Sequence, residues 1–346
     1  MNIVISEEEL RQLCIHKFVA AGVDRASASI VADVLVHANL RGVDSHGVLR
    51  VEHYINKLIH GGINPKPNVQ INRTSSAVGV VDGDDGLGHL VMYRAMEFAI
   101  EMAKESGIGA VSIKNSSHCG ALSYFVRMAA DQEMIGLAVT NTDKMVVPFG
   151  GIEPFFGTNP IAFSFPAEQN DPIILDMATS SVAYGKVLDA RVKGSSIPDS
   201  WGVDSSGVRT TDPHAVTALL PFGGAKGYGL SLVVDLLSSV LSESPYGPHV
   251  PPMYGGSSSE PRKLGHFLLV INPKLFTPYS LFTHTIDRFI AELQSVRPAE
   301  GFNRVMLPGE PEAICERQRR QGGIPLEKIV HDYLAGDDKS TLTLEE

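Results

Sequence analysis

The alternation of strand-like and helix-like segments between residues 77 and 140 most constrains the fold of this chain. Short apolar segments with strand character are separated by longer ones with helical character: in chain order, Ala77–Val81, Val91–Lys104, Ala110–Ile113, Ala121–Ala130 and Ile135–Thr140. Such an alternation is typical of α/β domains, in which helices cover the faces of a sheet. The sequence therefore predicts an α/β body for this part of the chain.

The segment that precedes this body has helical character. Ser6 opens an S-x-x-E capping box, which predicts a helix that ends near Gly22, and Asp24 is the expected cap of a second helix. A third helix is expected to begin at Asp44 and to end before Gly61. The first seventy residues are therefore expected to form a helical unit.

Helical character returns near the end of the chain, in the segments Leu281–Leu293, Pro311–Arg320 and Leu326–Leu334. A chain of 346 residues is long enough for about two domains. We predict a helical domain formed by residues 1–71 and 281–346, and an α/β domain formed by residues 72–280.

Composition excludes several classes of protein. A net charge of -10 without a basic block argues against a general nucleic-acid binder. The chain has 3 cysteines, widely spaced, and its 12 histidines form no familiar ligand pattern, so neither a disulfide framework nor a metal site is expected. No signal segment and no apolar run long enough to cross a membrane is evident, so we expect a cytoplasmic protein without a membrane partner.

The segment that begins at Asp44 holds the first candidate site. If a helix starts there, His46, Arg50 and Tyr54 are spaced at i, i+4 and i+8 and share one face. An arginine can hold a carboxylate with two hydrogen bonds, a histidine can transfer a proton, and a tyrosine can orient a substrate. A solvated helix face with one long arginine explains the same pattern.

A second candidate lies in the loop that joins a predicted strand to a predicted helix. His118 stands in this loop, and ligands of α/β proteins favour such strand ends. A proton-transferring role and a purely local hydrogen bond are both open for it. Cys119 next to it also allows a Cys–His nucleophile, although adjacent residues in a turn usually point apart.

Two further segments could bind a phosphate or a nucleotide. Gly223–Gly229 (GGAKGYG) precedes a predicted helix and offers Lys226 to an anion, but it departs from the P-loop pattern. Asp176 closes a predicted strand, where it could accept ribose hydroxyls or cap a helix. The Rossmann fingerprint is absent, because Gly83, Gly86 and Gly88 have the wrong spacing.

Several motifs follow one another along the chain: RGVDSHGVLRVEHY, NSSHCGALSYF, VVPFGG, FGTNPIAFSFP, DMATS, LLPFGGAKGYGL and MLPGE. Over nearly the whole chain they resemble the malate/L-lactate dehydrogenase family that lacks a Rossmann fold. The resemblance implies an α/β fold with a central mixed sheet and a helical unit from the N- and C-terminal segments. It also implies a homodimer that oxidises small 2-hydroxy acids with NAD, or with NADP. The segments GKVLDAR, SIPDSWGVD and TTDPHAV are most similar to members that oxidise ureidoglycolate.

The resemblance also assigns roles to particular residues. It implies that His118 is the proton acceptor, although some members use the histidine that corresponds to His46. With the helical triplet, we expect Ser45, Arg50 and Tyr54 to bind the substrate. The cofactor contacts that the resemblance implies are Thr142, Asp176, Met177, Ala178, Lys226, Pro308, Gly309 and Glu310.

Three alternatives stay open at this point. The substrate could be another 2-hydroxy acid, such as malate, lactate, sulfolactate or an acid related to a sugar-derived keto acid. The chain could bind an anion at the Lys226 loop without catalysis, or it could be a hydrolase that uses Cys119 and His118.

Overall fold

The computed structural model of the protein describes residues 2–336. The helices of this part of the chain are α1 (Glu7–Ala20), α2 (Arg25–Leu40), α3 (Val51–His60), α4 (Gly88–Ser106), α5 (Leu122–Asp131), α6 (Tyr184–Lys193), α7 (Ala225–Ser238), α8 (Tyr279–Ser295), α9 (Glu310–Gly322) and α10 (Lys328–Ala335). The strands are β1 (Asn2–Ile5), β2 (Gln70–Arg73), β3 (Val78–Asp82), β4 (Ile108–Ser116), β5 (Ile135–Thr140), β6 (Ile161–Phe165), β7 (Ile173–Met177), β8 (Gly202–Val203), β9 (Ala218–Leu219), β10 (Leu264–Ile271) and β11 (Ile324–Glu327).

A mixed sheet of 7 strands, in the order β2-β3-β4-β10-β5-β6-β7, forms the centre of the molecule. β3 and β4 are parallel and joined by α4, whereas the other neighbouring pairs are antiparallel. The predicted α/β fold with a central mixed sheet is therefore confirmed. The place of β10 between β4 and β5 could not be read from local patterns, because its partners are more than a hundred residues away in sequence.

The sheet is covered on both faces. On one face α4 and α5 pack against Val111, Ala138 and Leu268 in one buried cluster. On the other face α7 contributes Val234 to a cluster with Val139 and Phe267. Adjacent residues of β5 and β10 thus enter opposite clusters, as the two-residue period of a strand requires.

The N-terminal helices begin where the sequence predicts. The Ser6 hydroxyl accepts a hydrogen bond from the Glu9 N–H at the start of α1, and the Asp24 carboxylate caps α2 by accepting from two backbone N–H groups. These helices share a buried cluster with Ile324, Val330 and Leu334 from the C-terminal segment. The predicted boundaries between the two domains stay a prediction, and residues 337–346 of the helical domain lie outside the described part of the chain.

Two strands were missed in this helical part. β1 and β11 form an antiparallel pair of 4 residues each, with Ile5 opposite Ile324. Segments this short carry little period-2 signal, and their pairing across the whole chain is invisible to local patterns. The expected helical unit therefore also contains this short two-stranded sheet.

The prediction of one helix beginning at Asp44 is also wrong. Two short 3₁₀ turns, Asp44–His46 and Val48–Arg50, precede α3. Gly47 between them has φ -91° and ψ -149°, which is not helical, and a Cβ at this position would lie 2.1 Å from Asn39 Oδ1. Asn39 Oδ1 accepts the Val48 N–H at 2.8 Å, so α2 holds the chain in this shape.

Candidate active site

His118 and Tyr54 form the centre of the candidate site. His118 lies between β4 and α5, and Tyr54 is fully buried on α3. Tyr54 Oη is 2.6 Å from His118 Nδ1, and the Gly120 N–H donates to the same nitrogen at 3.3 Å. His118 Nδ1 is therefore engaged by the protein, and Nε2 is the ring nitrogen that remains for a ligand.

His46 and Arg50 lie beside this pair, although they do not share a helix with Tyr54. The rings of His46 and His118 are 5.7 Å apart, and His46 Nδ1 is 3.0 Å from Ser45 Oγ. Arg50 Nε donates to the Ser45 carbonyl at 2.7 Å. The expected substrate residues thus come together from the two 3₁₀ turns and α3, and not from one shared helix face.

The 3₁₀ turns that carry His46 and Arg50 are held by hydrogen bonds from α2 and from α9. Asn39 Nδ2 donates to Asp44 Oδ1 at 2.7 Å, and Arg319 from α9 donates to both oxygens of the same carboxylate, at 2.6 and 3.0 Å. A two-bond arginine–carboxylate contact fixes orientation as well as distance. Asp44 therefore links the C-terminal helix α9 to the segment of His46.

The electrostatic setting keeps the imidazoles of the site neutral. Burial, together with the nearby charges of His46 and Arg50, lowers the pKa of His118 well below its usual value of 6.5. Burial and the charge of Arg50 lower the pKa of His46 to about 4. A neutral imidazole near pH 7 is a competent proton acceptor.

Cys119, next to His118, has a raised pKa, whereas the two histidines have lowered ones. Cys119 is buried, and burial followed by the charge of Asp176 raises the pKa of its thiol to about 12. A thiol with this pKa is protonated near neutral pH, and the thiolate is the nucleophilic form. The arrangement does not favour a Cys–His hydrolase.

Several expected cofactor residues lie at the end of β7. Asp176 is an exposed residue whose Oδ2 accepts the Ser123 N–H of α5 at 2.7 Å. Met177 and Ala178 follow it and are half-buried. Gly309 packs on the same strand, since a Cβ there would meet the Ile174 carbonyl at 2.5 Å. Residues 308–310 therefore contact the strand that leads into residues 176–178, and Asp176 adjoins the His118 loop through α5.

A chain of hydrogen bonds joins the other two expected cofactor segments to this one. Thr142 Oγ1 accepts the Thr158 N–H at 2.9 Å, and the Thr158 carbonyl accepts the Thr179 N–H at 2.8 Å. The Thr179 carbonyl in turn accepts the Phe222 N–H at 3.1 Å, just before the Gly-rich turn. Lys226 is exposed in the first turn of α7. The expected cofactor segments are thus linked to one another in one series, which we call the cofactor belt.

Pro308 and Glu310 complete this belt at the start of α9. Pro308 is exposed, whereas Glu310 accepts the Leu307 N–H at 3.0 Å and forms an ion pair with Arg304 at 2.6 Å. The Glu310 carboxylate is therefore occupied by its own segment, and the backbone of residues 308–310 is what this segment offers to a ligand.

A cleft of about 650 Å³ adjoins the Gly-rich turn, and its lining includes Phe149, Ile152, Arg209 and Gly223. None of the residues around His118 lines it. The cleft therefore lies next to the Gly-rich turn and not next to the candidate proton acceptor.

Sequence reasoning missed two residues that border the site. Tyr254 lies under Arg50, with its ring centre 5.3 Å from the guanidinium carbon, and beside His53, at 5.9 Å between rings. Arg262 is 3% exposed and forms an ion pair of 2.5 Å with Asp143. Both belong to the segment that precedes β10, which has no local motif. Asp143 lies three residues before the motif VVPFGG, which was the one signal available near it in the sequence.

Within residues 2–336 no cluster of three or more His, Cys, Asp or Glu side chains is arranged to hold a metal ion. No helix of the described chain is long and apolar enough to cross a membrane.

The family model for malate/L-lactate dehydrogenase matches residues 5–335 of this sequence. The chain therefore belongs to the malate/L-lactate dehydrogenase family, and it is an NAD(P)-dependent 2-hydroxy-acid dehydrogenase. The expected family is confirmed.

Individual relatives are similar over nearly their whole length. Ureidoglycolate dehydrogenase (NAD(+)) of Escherichia coli K12 is 43% identical over 333 residues, which cover 96% of this chain and 95% of that protein. Malate dehydrogenase of Pyrococcus abyssi is 39% identical over 340 residues, covering 95% and 92%. The solved structure of sulfolactate dehydrogenase from Methanocaldococcus jannaschii has a TM-score of 0.90 at 39% identity, covering 96% of this chain and 95% of that one.

Proposed function

We propose that the protein oxidises (S)-ureidoglycolate to oxalurate with NAD, and that His118 accepts the proton of the substrate hydroxyl. The motifs most similar to ureidoglycolate-oxidising members and the 43% identity to ureidoglycolate dehydrogenase support this substrate. The observation that carries the chemistry is the contact of Tyr54 Oη with His118 Nδ1, which leaves Nε2 as the proton-accepting atom beside Arg50.

Arg50 is the residue that fits the substrate carboxylate. Its Nε is used by the Ser45 carbonyl, and among residues 2–336 no carboxylate forms an ion pair with it. Both Nη groups can therefore serve a ligand, and a guanidinium binds a carboxylate with two parallel hydrogen bonds. Ser45 contacts His46 and Tyr54 contacts His118, so both hydroxyls would help to orient the C2 hydroxyl.

The proton passes to Nε2 of His118. For oxidation the neutral ring must carry its hydrogen on Nδ1, from which it donates to Tyr54 Oη. In this tautomer the longer 3.3 Å hydrogen bond from the Gly120 N–H is given up, and Nε2 accepts the hydroxyl proton. The C2–H bond breaks as a hydride leaves, and the C2–O bond becomes a carbonyl. The resulting imidazolium keeps its bond to Tyr54, so the same ring can return the proton during reduction. His46 lies close enough to share or support this role.

The residues of the belt suit a dinucleotide. Asp176 offers a carboxylate to ribose hydroxyls, Thr142 a hydroxyl, and Lys226 an exposed ammonium at the start of α7. Gly224 precedes this helix with φ 66° and no side-chain cap, which leaves backbone N–H groups for a phosphate. Gly309 keeps the backbone of residues 308–310 close to β7, where a Cβ would not fit. A bound NAD would supply the acceptor for the hydride that leaves C2.

Other parts of the expectation stay predictions. These are the preference for NAD over NADP, the homodimer, the cytoplasmic location and the absence of a nucleic-acid partner. Malate, lactate, sulfolactate and acids related to sugar-derived keto acids are the alternative substrates. A non-catalytic anion-binding protein is no longer an alternative, because the chain belongs to a dehydrogenase family.

The test is the absorbance of NADH or NADPH after adding each 2-hydroxy acid to the protein with NAD or NADP. We expect the highest kcat/KM with (S)-ureidoglycolate and NAD. The His118→Ala variant should lose about 10²–10⁴ in kcat while it still binds NADH. His46→Ala is the matched control, with a smaller loss. Near-normal turnover by His118→Ala would move the proton role to His46, and a higher kcat/KM with malate would overturn the substrate.

A further inference from the structure

Arg262 has one donor group that the protein leaves unused. Its Nε donates to the Pro251 carbonyl at 3.1 Å and its Nη2 to Asp143 Oδ1 at 2.5 Å. Nη1 is buried and has no hydrogen-bond partner within residues 2–336. Buried donors in native proteins are nearly always paired, so a ligand or water is expected at Nη1.

This arginine belongs to the wall of the candidate site. The segment before β10 is fastened along α3, where Lys57 Nζ donates to the carbonyls of Ser257 and Glu260 at 3.0 and 2.9 Å. Tyr254 of the same segment stacks on Arg50. Arg262 therefore follows a segment that is held against the helix of Tyr54. Its positive charge is also close enough to contribute to the lowered pKa of His118.

The two arginines of the site differ in their charge balance. Arg50 has no carboxylate partner in the described chain, so it presents a full positive charge. Arg262 is neutralised by Asp143, whose side chain is 16% exposed. The Arg262–Asp143 pair is thus neutral overall, and it combines an unused N–H donor with a carboxylate that can accept further hydrogen bonds.

We propose that the Arg262–Asp143 pair binds the neutral polar end of the substrate, an amide or ureido group, and so selects a substrate with one carboxylate over one with two. This inference rests on the proposed function for the position of the first carboxylate at Arg50. A ureido group offers a carbonyl to Arg262 Nη1 and an N–H to Asp143. A second carboxylate could use the donor but would face the negative charge of Asp143, and like charges at such a contact are strongly disfavoured.

The test compares the binding of two oxidised products to the protein with NAD+, a combination in which no turnover occurs. Oxalurate carries one carboxylate and a ureido group, and oxaloacetate carries two carboxylates. Isothermal titration gives both affinities for the wild type and for Asp143→Asn, which keeps the shape of the side chain and removes its charge. We expect the ratio of the two affinities to shift toward oxaloacetate by about tenfold to a hundredfold.

Two further variants separate recognition from folding. Arg262→Lys should lose oxalurate affinity by about tenfold or more while its NAD+ affinity is unchanged, because an ammonium cannot replace the planar guanidinium. Asp33→Asn is the matched control. It removes a carboxylate on α2 that pairs with Arg11 of α1 at 2.6 Å, and it should leave the ratio of the two product affinities unchanged.

An unchanged ratio in Asp143→Asn would overturn the inference, as would equal weakening of both ligands. Failure of oxalurate to bind the wild type would overturn it as well. A shifted ratio in a protein that does not turn over ureidoglycolate would uphold the inference and refute the proposed function.

Discussion

Replacing Glu316 by Gln should lower the free energy of unfolding of the protein. It should also loosen the contact that holds residues 308–310, which are expected to bind the cofactor. Glu316 is buried on α9 and accepts hydrogen bonds from Arg41 at 3.1 Å, Arg127 at 2.9 Å and Arg320 at 2.9 Å. Arg41 also donates to the Gly309 carbonyl at 3.2 Å. The carboxylate therefore holds together three cations, one of which fixes the expected cofactor segment.

The size of the effect follows from the pKa of Glu316. Burial alone would raise this pKa, but the charge of Arg127 and the hydrogen bonds from Arg320 and Arg127 lower it from 4.5 to about 2. This difference corresponds to about 3 kcal/mol, and because Arg127 and Arg320 are partly exposed, solvent screening reduces it to about 2 kcal/mol. Since the folded pKa is the lower one, this stability is complete above pH 4.5 and is lost as the pH falls toward 2.

The assay is urea unfolding of the wild type and Glu316→Gln at pH 7, 5 and 3.5. At pH 7 and 5 the variant should unfold at a midpoint lower by about 0.5–1 M, and the gap should narrow at pH 3.5. Glu105→Gln is the matched control, because its ion pair with Arg73 is exposed and should contribute about 0–1 kcal/mol. Equal midpoints at pH 7, or a gap that does not change with pH, would refute the reasoning.

Three further predictions concern the site. Arg50→Lys should raise the KM of the hydroxy acid by about tenfold or more without changing NADH affinity, because an ammonium cannot make two parallel hydrogen bonds; an unchanged KM would remove Arg50 from the carboxylate site. The kcat/KM for oxidation should stay level as the pH falls through 6.5, since the lowered pKa keeps His118 deprotonated; an inflection at 6.5 or above would contradict this. Gly309→Ala should weaken NADH binding by about tenfold, measured by fluorescence titration, because its φ is 82° and the added Cβ would meet the Ile174 carbonyl. Unchanged binding would place the cofactor elsewhere.

Local patterns were sufficient for most helices and for the longer strands. The caps at Ser6 and Asp24 predicted the starts of α1 and α2, since a capping hydroxyl or carboxylate acts on N–H groups within three residues of itself. α3 ends before Gly61, as expected, and Gly61 has the left-handed conformation. The helix predicted from Asp44 failed because its start depends on Asn39, a residue of the preceding helix that binds the Val48 N–H.

The sequence by itself determined the family, the α/β class and the residues around which the site was expected, because each of these depends on side-chain types in a recognisable order. The tertiary structure alone decided how those residues meet. Tyr54 reaches His118 at 2.6 Å from a different element, and Arg262 pairs with Asp143 across 119 residues. Contacts between distant segments depend on sheet order and on the packing of α3 against the segment before β10. No local pattern encodes these, so the second arginine of the site became visible only in the folded chain.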